Sequence, residues 1–138
     1  MSVWTHVAGI VRLDCLRAMY KTEMIPKAIQ EYFGKELRWD DDHDAWKEQY
    51  EHEDRFLPCG SEGSLRMSIW ENPNESHVSA YTVSIFGDLR DFDDAKSIID
   101  WFKKKLNEEL MSESIPCWVR QASIVVETEG CDALEYHC

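Results

Sequence analysis

The sequence lacks the features that would send a chain into a membrane or out of the cell. Among its 138 residues, no apolar run approaches the roughly 20 residues that a membrane-spanning helix needs. The opening MSVWTHVAGI has neither a basic segment nor an A-x-A-like cleavage site, which argues against a secretory signal. We therefore expect a cytoplasmic protein that makes no contact with a membrane.

No C-x-x-C pair is present, which removes the common zinc and thiol-redox spacings. The five cysteines are scattered and odd in number, so we expect reduced thiols and no disulfide. Cys131, His137 and Cys138 lie close together in the chain, but adjacent His-Cys ligands do not match a standard zinc spacing. The sequence therefore predicts no bound metal and no cofactor.

Familiar catalytic and phosphate-binding motifs are also missing. In PCGSEGS (58–64), Arg66 stands one position too far from Cys59 for a cysteine-dependent phosphatase loop. The segment has no Gly-Lys-Ser/Thr of a Walker loop, and its two glycines among polar residues predict a turn before a strand. The run DDDHD lacks the glycine that an EF-hand loop requires. We expect a protein that is not an enzyme.

What the chain does have is a large excess of negative charge. The formal net charge is −12, so a nucleic-acid backbone would be repelled and direct nucleic-acid binding is not expected. The acids are densest in residues 40–54, where eight carboxylates accompany one lysine. Such a surface favours docking on a basic protein partner. The residues expected to contact that partner are Asp40, Asp41, Asp42, Asp44, Asp88 and Asp91.

Hydrophobic periodicity predicts strands and helices in a definite order. Apolar and polar residues that alternate with period two indicate strands, and apolar residues three or four positions apart indicate helices. The predicted strands are 2–14, 64–70, 77–87 and 116–130, and the predicted helices are 24–34 and 88–110.

The resulting order, β-α-β-β-α-β, is typical of the ferredoxin-like split βαβ fold. We predict a single α+β domain over residues 1–138, with a four-stranded antiparallel sheet and two helices on one face. An acidic, partly helical insertion at 38–58 and a C-terminal tail at 131–138 are added to this plan.

The sheet face opposite the predicted helices carries both aromatic and polar side chains. His6, Arg66 and Trp70 are expected on it, because each alternates with apolar neighbours that point to the core. Such a face can bind a small ligand, or it can be covered by a second subunit or by the C-terminal tail. Both alternatives, including a homodimer, stay open.

Two parts of the chain resemble small proteins encoded by bacteriophages and prophages. The resemblance lies in PCGSEGSLRMSIWENP…AYTVSIFGDLRDFDD, roughly the middle third of the chain, and in the opening MSVWTH. It implies a bacterial host cytoplasm during infection or lysogeny, and it transfers no catalytic residue. Small acidic phage proteins often act by binding and inhibiting a host protein.

Together these observations favour a non-enzymatic interaction protein. Its expected partner is a host or phage protein with a basic surface, such as a defence or nucleic-acid enzyme that the acidic surface inhibits. The alternative is a small-ligand-binding oligomer that uses the open sheet face, with His6, Arg66 and Trp70 as the ligand-binding residues.

Overall fold

The fold is α+β and is built on an antiparallel β-sheet. A computed structural model describes residues 2–16, 24–37, 53–72 and 78–138 of the chain. Within these ranges the strands are β1 (Trp4–Leu16), β2 (Arg66–Asn72), β3 (Val78–Arg90), β4 (Cys117–Thr128) and β5 (Leu134–His137). The helices are α1 (Met24–Phe33), α2 (Ala95–Lys105) and α3 (Glu108–Ser114), with a short 3-10 turn at Glu53–Arg55.

Strand β1 lies at the centre of the sheet. The strand order is β2-β3-β1-β4-β5, and every neighbouring pair is antiparallel. β1 pairs with β3 along all of its 13 residues. Its other edge pairs with β4, and a β-bulge between Arg12 and Leu13 leaves Arg120 as the extra residue of β4.

Alternation along the strands separates a buried face from an open one. In β1 every second residue from Thr5 to Cys15 is buried, and the residues between them point to the other face. Tyr81, Val83 and Ile85 of β3 are fully buried, as the alternation of apolar and polar residues in the predicted strand 77–87 requires. The buried strand residues form one hydrophobic cluster with residues of all three helices. The helices therefore cover the buried face of the sheet.

The helices begin where side chains can satisfy their first backbone N–H groups. Asp94 caps α2 by accepting a hydrogen bond from the backbone N–H of Ser97, and Asn107 caps α3 in the same way.

α1 and α2 are joined by a reciprocal pair of hydrogen bonds. The Tyr32 hydroxyl donates to the carbonyl of Lys105, whose ammonium donates to the carbonyl of Tyr32.

The predicted count of four strands is wrong, because the end of the chain forms a fifth. Leu134–His137 pairs with β4, and Tyr136 turns inward to meet the ring of Phe102 edge to face at 6.3 Å. Residues 131–138 were expected to be only a tail. Their pairing depends on a β4 edge and an aromatic contact that are distant in the sequence.

The predicted helix over 88–110 corresponds to three separate elements. Residues 88–90 continue β3, because β1 offers them pairing partners as far as Trp4. The helical stripe is confirmed in α2, where Ile98, Ile99 and Phe102 are buried, and a second short helix, α3, follows it. The acidic insertion predicted at 38–58 lies largely outside the described residues.

Cys15 and Cys117 form a disulfide, so the prediction of five reduced thiols is wrong. The two cysteines are opposite each other on β1 and β4, with their Cα atoms 4.1 Å apart and their side chains buried. They are 102 residues apart in sequence, and cysteine spacing cannot reveal the pairing of two distant strands. Cys59, Cys131 and Cys138 are in the thiol form.

We expect the oxidised protein, denatured without reductant, to titrate with three thiols, and the reduced protein with all five. Reduction should lower the free energy of unfolding by about 2–4 kcal/mol, because the bond closes a long loop. Thiol titration and denaturant unfolding with and without reductant measure both effects. Five thiols in the untreated protein would contradict the disulfide.

Candidate functional site

The glycine-rich segment 58–64 is a turn that packs against the end of β3. Gly63 adopts a left-handed backbone conformation with φ of 82°, as the two-glycine pattern predicted. Gly60, Ser61 and Glu62 exchange backbone hydrogen bonds with Gly63 and Arg90. The amide groups of Gly60 and Ser61 are thus satisfied within the protein and do not converge on a phosphate site. The predicted turn is confirmed.

The sheet face away from the helices is the main candidate for a binding surface. We call it the open sheet face. It consists of the outward side chains of the five strands, with Ile10 at the centre of β1 between Ser84 and Ser123. Its large exposed hydrophobic residues are Trp70 at 73%, Ile10 at 52%, Phe86 at 45%, Trp118 at 40% and Leu16 at 39%.

One end of the open sheet face is rich in carboxylates. His6 of β1 lies between Asp88 of β3 and Glu127 of β4 in the strand register. The ring Nδ1 of His6 is 2.6 Å from the carboxylate Oδ1 of Asp88. This hydrogen bond is the main reason that the pKa of His6 is raised above its ordinary value, although partial burial opposes the shift. We call this the carboxylate end.

The opposite end of the face is rich in arginine. Arg12 lies beside Gln121 and Thr82, and the bulge places Arg120 next to Asp14, with 3.9 Å between the guanidinium Nη1 and the carboxylate Oδ2. We call this the arginine end. The face as a whole has four arginines (Arg12, Arg66, Arg90, Arg120) and four carboxylates (Asp14, Asp88, Glu127, Glu135).

The residues predicted as a ligand site share this face but are spread over it. His6 on β1 and Trp70 on β2 are two strands apart across the sheet and six residues apart along it, a distance of about 20 Å. Arg66 and Trp70 are about 13 Å apart along β2, and the guanidinium of Arg66 pairs with Glu36 at 2.9 Å. Such spacing suits an extended contact better than a single small molecule.

The acids predicted as a partner-binding surface are not brought together among the described residues. Asp88 bonds to His6 on the open sheet face. Asp91 lies at the turn after β3, where it accepts hydrogen bonds from the hydroxyl of Ser61 and the backbone N–H of Val3. Asp40, Asp41, Asp42 and Asp44 lie outside the described residues.

A shallow depression occupies the middle of the open sheet face. It has a volume of about 270 Å³ and is bordered by Ala8, Ile10, Ser84, Phe86 and Ser123. This is slightly smaller than the roughly 300–1,000 Å³ of typical small-molecule sites. Its centre is formed by residues that the sequence analysis did not single out. The alternation of β1 could have placed Ile10 on this face, but not beside Ser84 and Ser123.

The side chains of the open sheet face can make apolar contacts, hydrogen bonds and ion pairs with another molecule. In the part of the chain that the structure describes, no group of three or more His, Cys, Asp or Glu residues could hold a metal ion. No helix in the same residues is long and apolar enough to cross a membrane. The His6–Asp88 pair is exposed, and among residues 2–16, 24–37, 53–72 and 78–138 no serine or cysteine side chain is recorded in a hydrogen bond with it.

Comparisons with protein-family models, with curated proteins and with solved structures found no match. The resemblance to phage-encoded proteins therefore stays a prediction, and the functional argument depends on the residues themselves.

We expect Gly63→Ala to destabilise the protein far more than Gly130→Ala. Both glycines have φ of 82°, but a Cβ at Gly63 would lie 2.2 Å from the carbonyl oxygen of Asp88, whereas one at Gly130 meets nothing within 4 Å. Gly130→Ala should cost about 1–2 kcal/mol from backbone strain alone, and Gly63→Ala about twice that or more. Denaturant unfolding of both variants measures the difference. Equal losses would mean that the turn does not pack tightly on β3.

We expect Asp88→Asn to bring the pKa of His6 back towards its ordinary value of 6.5. The hydrogen bond raises that pKa in the folded protein, so its contribution to stability is full below pH 6.5 and is lost as pH rises through the folded pKa. Titration of the His6 ring by NMR in both proteins measures the shift. Asp93→Asn, an exposed acid off the sheet, is the control. The same His6 pKa in all three proteins would show that the bond does not form.

Proposed function

We propose that this is a non-enzymatic binding protein whose acidic surface contacts a basic partner protein. The supporting observation is the uneven distribution of charge. Four arginines balance four carboxylates on the open sheet face, while the whole chain carries −12 with histidines neutral. The entire excess of negative charge therefore belongs to the rest of the chain, and eight of its carboxylates fall within 40–54.

Dense like charges favour a role in association. Repulsion among neighbouring carboxylates costs stability, and it is only partly screened at physiological salt. A basic partner would relieve that repulsion and would be drawn to the surface at a faster rate. Asp40, Asp41, Asp42 and Asp44 are the proposed contacts. Asp88 and Asp91 are less suited to this role, because both carboxylates already have partners within the chain.

The partner that we propose is a bacterial host protein, or a phage protein, with a basic surface. The phage-like segments support a setting in the host cytoplasm, and a defence or nucleic-acid enzyme fits the required charge. Binding would inhibit such an enzyme by occupying the surface that normally holds its own anionic ligand. The Cys15–Cys117 disulfide is unusual for a reducing cytoplasm. The thiol titration that tests the disulfide therefore also tests the proposed cytoplasmic setting.

A second candidate function is the binding of a small ligand at the open sheet face. The depression beside Ile10 and Phe86 is the observation that favours it, with His6 and Arg66 as polar groups at a distance. Native mass spectrometry of freshly purified protein tests this candidate. A stoichiometric extra mass that Phe86→Lys removes would support it, and a bare chain mass would count against it.

We also propose that the fold belongs to the ferredoxin-like class. β1 and β2 run parallel with β3 between them, and β3 and β4 run parallel with β1 between them. Two interlocked split βαβ units of this kind, with α1 and α2 as the crossovers, support the assignment. α3 and β5 are additions to it.

The acidic surface is tested by two variants that change the net charge by the same amount. We expect replacement of Asp40, Asp41, Asp42 and Asp44 by Asn to abolish capture of a basic partner from bacterial lysate at low salt. The control neutralises four exposed acids elsewhere, Glu31→Gln, Asp100→Asn, Glu113→Gln and Asp132→Asn, and should still capture it. Equal capture by both variants, or capture that salt does not weaken, would contradict the proposal.

A further inference from the structure

The open sheet face has the layout of an interface centre surrounded by polar groups. Ile10 and Phe86 project from its middle with about half of each side chain exposed. Small side chains surround them, namely Ala8, Ser84 and Ser123. Trp70 and Trp118 stand towards two margins of the face. An apolar centre with aromatic residues and a charged rim is typical of surfaces that another protein covers.

The charge of the face restricts what can cover it. Its four arginines and four carboxylates cancel, whereas the chain as a whole has a net charge of −12. Two copies of so acidic a chain repel each other where their acidic surfaces meet. On the open sheet face they can approach without that repulsion.

The two ends of the face along β1 differ in charge, and each also has one residue of the other sign, since Arg90 lies one row beyond Asp88 and Asp14 lies one row beyond Arg12. Asp88 and Glu127 flank His6 at the carboxylate end, and Arg12 and Arg120 lie about 20 Å away at the arginine end. The midpoint between the two ends lies between the outward residues Ala8 and Ile10. A surface with opposite charge at its two ends is complementary to a copy of itself turned end for end.

We propose that two copies of this chain pack open sheet face against open sheet face, related by a two-fold axis that crosses β1 between Ala8 and Ile10. Each strand then runs antiparallel to its counterpart in the other copy. The carboxylate end of one copy lies over the arginine end of the other, twice, as an isologous contact requires. In the middle, Ile10 of each copy lies over Ala8 of the other. A two-fold axis that lies in the interface and runs along β1 would instead place the arginine end of one copy over the arginine end of the other.

The size of the face matches what a stable dimer needs. Five strands about 4.8 Å apart, the longest of 13 residues at about 3.3 Å each, give an area of roughly 800 Å². Specific dimers bury about 800 Å² on each partner. Because the contact is sheet on sheet, the axis, the charges and the apolar centre all lie on the same face.

The oligomeric state tests the proposal, with a matched pair of variants. We expect the wild-type chain to sediment at twice its 16.2 kDa mass. Ile10→Lys should weaken the dimer at least about a hundred-fold, because it buries two unpaired charges. Met24→Lys is the control, since Met24 on α1 is 53% exposed, about as much as Ile10. It should leave the dimer intact. Far-UV circular dichroism and thermal unfolding verify that each variant folds.

A charge exchange tests the orientation and does not depend on Ile10. Arg12→Glu with Arg120→Glu makes both ends negative, and Asp88→Lys with Glu127→Lys makes both ends positive. Each double variant alone should lose the dimer, and an equal mixture should restore a heterodimer in native mass spectrometry. A monomeric wild-type chain, or a dimer that folded Ile10→Lys leaves unchanged, would overturn the interface. Double variants that dimerise as well as wild type would overturn the end-for-end arrangement.

Discussion

Most of the architecture depends on the pairing of β1 along both of its edges. A strand that is hydrogen-bonded to β3 on one side and β4 on the other cannot rotate, so each of its side chains is assigned to one face. A shift of one residue would expose Val7, Val11 and Leu13 and bury Arg12. The helices must therefore cover the face with the valines, and the charged residues between them must share the opposite face.

Large side chains fill the buried side of the sheet among the described residues. Tyr81, Phe33 and Phe102 are fully buried in its core, and the glycine turn lies so close to β3 that a Cβ at Gly63 would strike the Asp88 carbonyl. Polar groups that could act on another molecule consequently lie on the surface. An exposed His6–Asp88 pair in open solvent has no means of excluding water, which distinguishes it from a catalytic pair in a closed site.

The sequence predicted those parts of the fold that depend on local pattern. Period-two alternation placed Arg66, Ser68 and Trp70 outward on β2, and the helical stripe placed Ile98 and Phe102 in the core. It could not show what depends on distant partners. Asp88 looked like a residue of a helix N-terminus, yet β1 holds it in a strand. The Cys15–Cys117 bond and the pairing of β5 likewise require β4 to be in place first.

The candidate site was predicted only in outline, for the same reason. Alternation put His6, Arg66 and Trp70 on one face, but only the register shows that they are too far apart to form one pocket. The register also brings Ser84 and Ser123 beside Ile10, which no local pattern indicates.

The distribution of charge connects the two proposed surfaces. An acidic chain that associates with itself must keep its like charges away from the contact. The open sheet face meets that condition, because its strands carry equal numbers of arginines and carboxylates. In a dimer formed through this face, the exposed acids of the helices, such as Glu31, Asp100 and Glu113, remain uncovered on both copies. These acids would present two equivalent contacts to a basic partner. After the first contact has formed, the second would form at a high effective concentration, provided that the partner reaches both. Self-association and partner binding would then depend on different charges of the same chain.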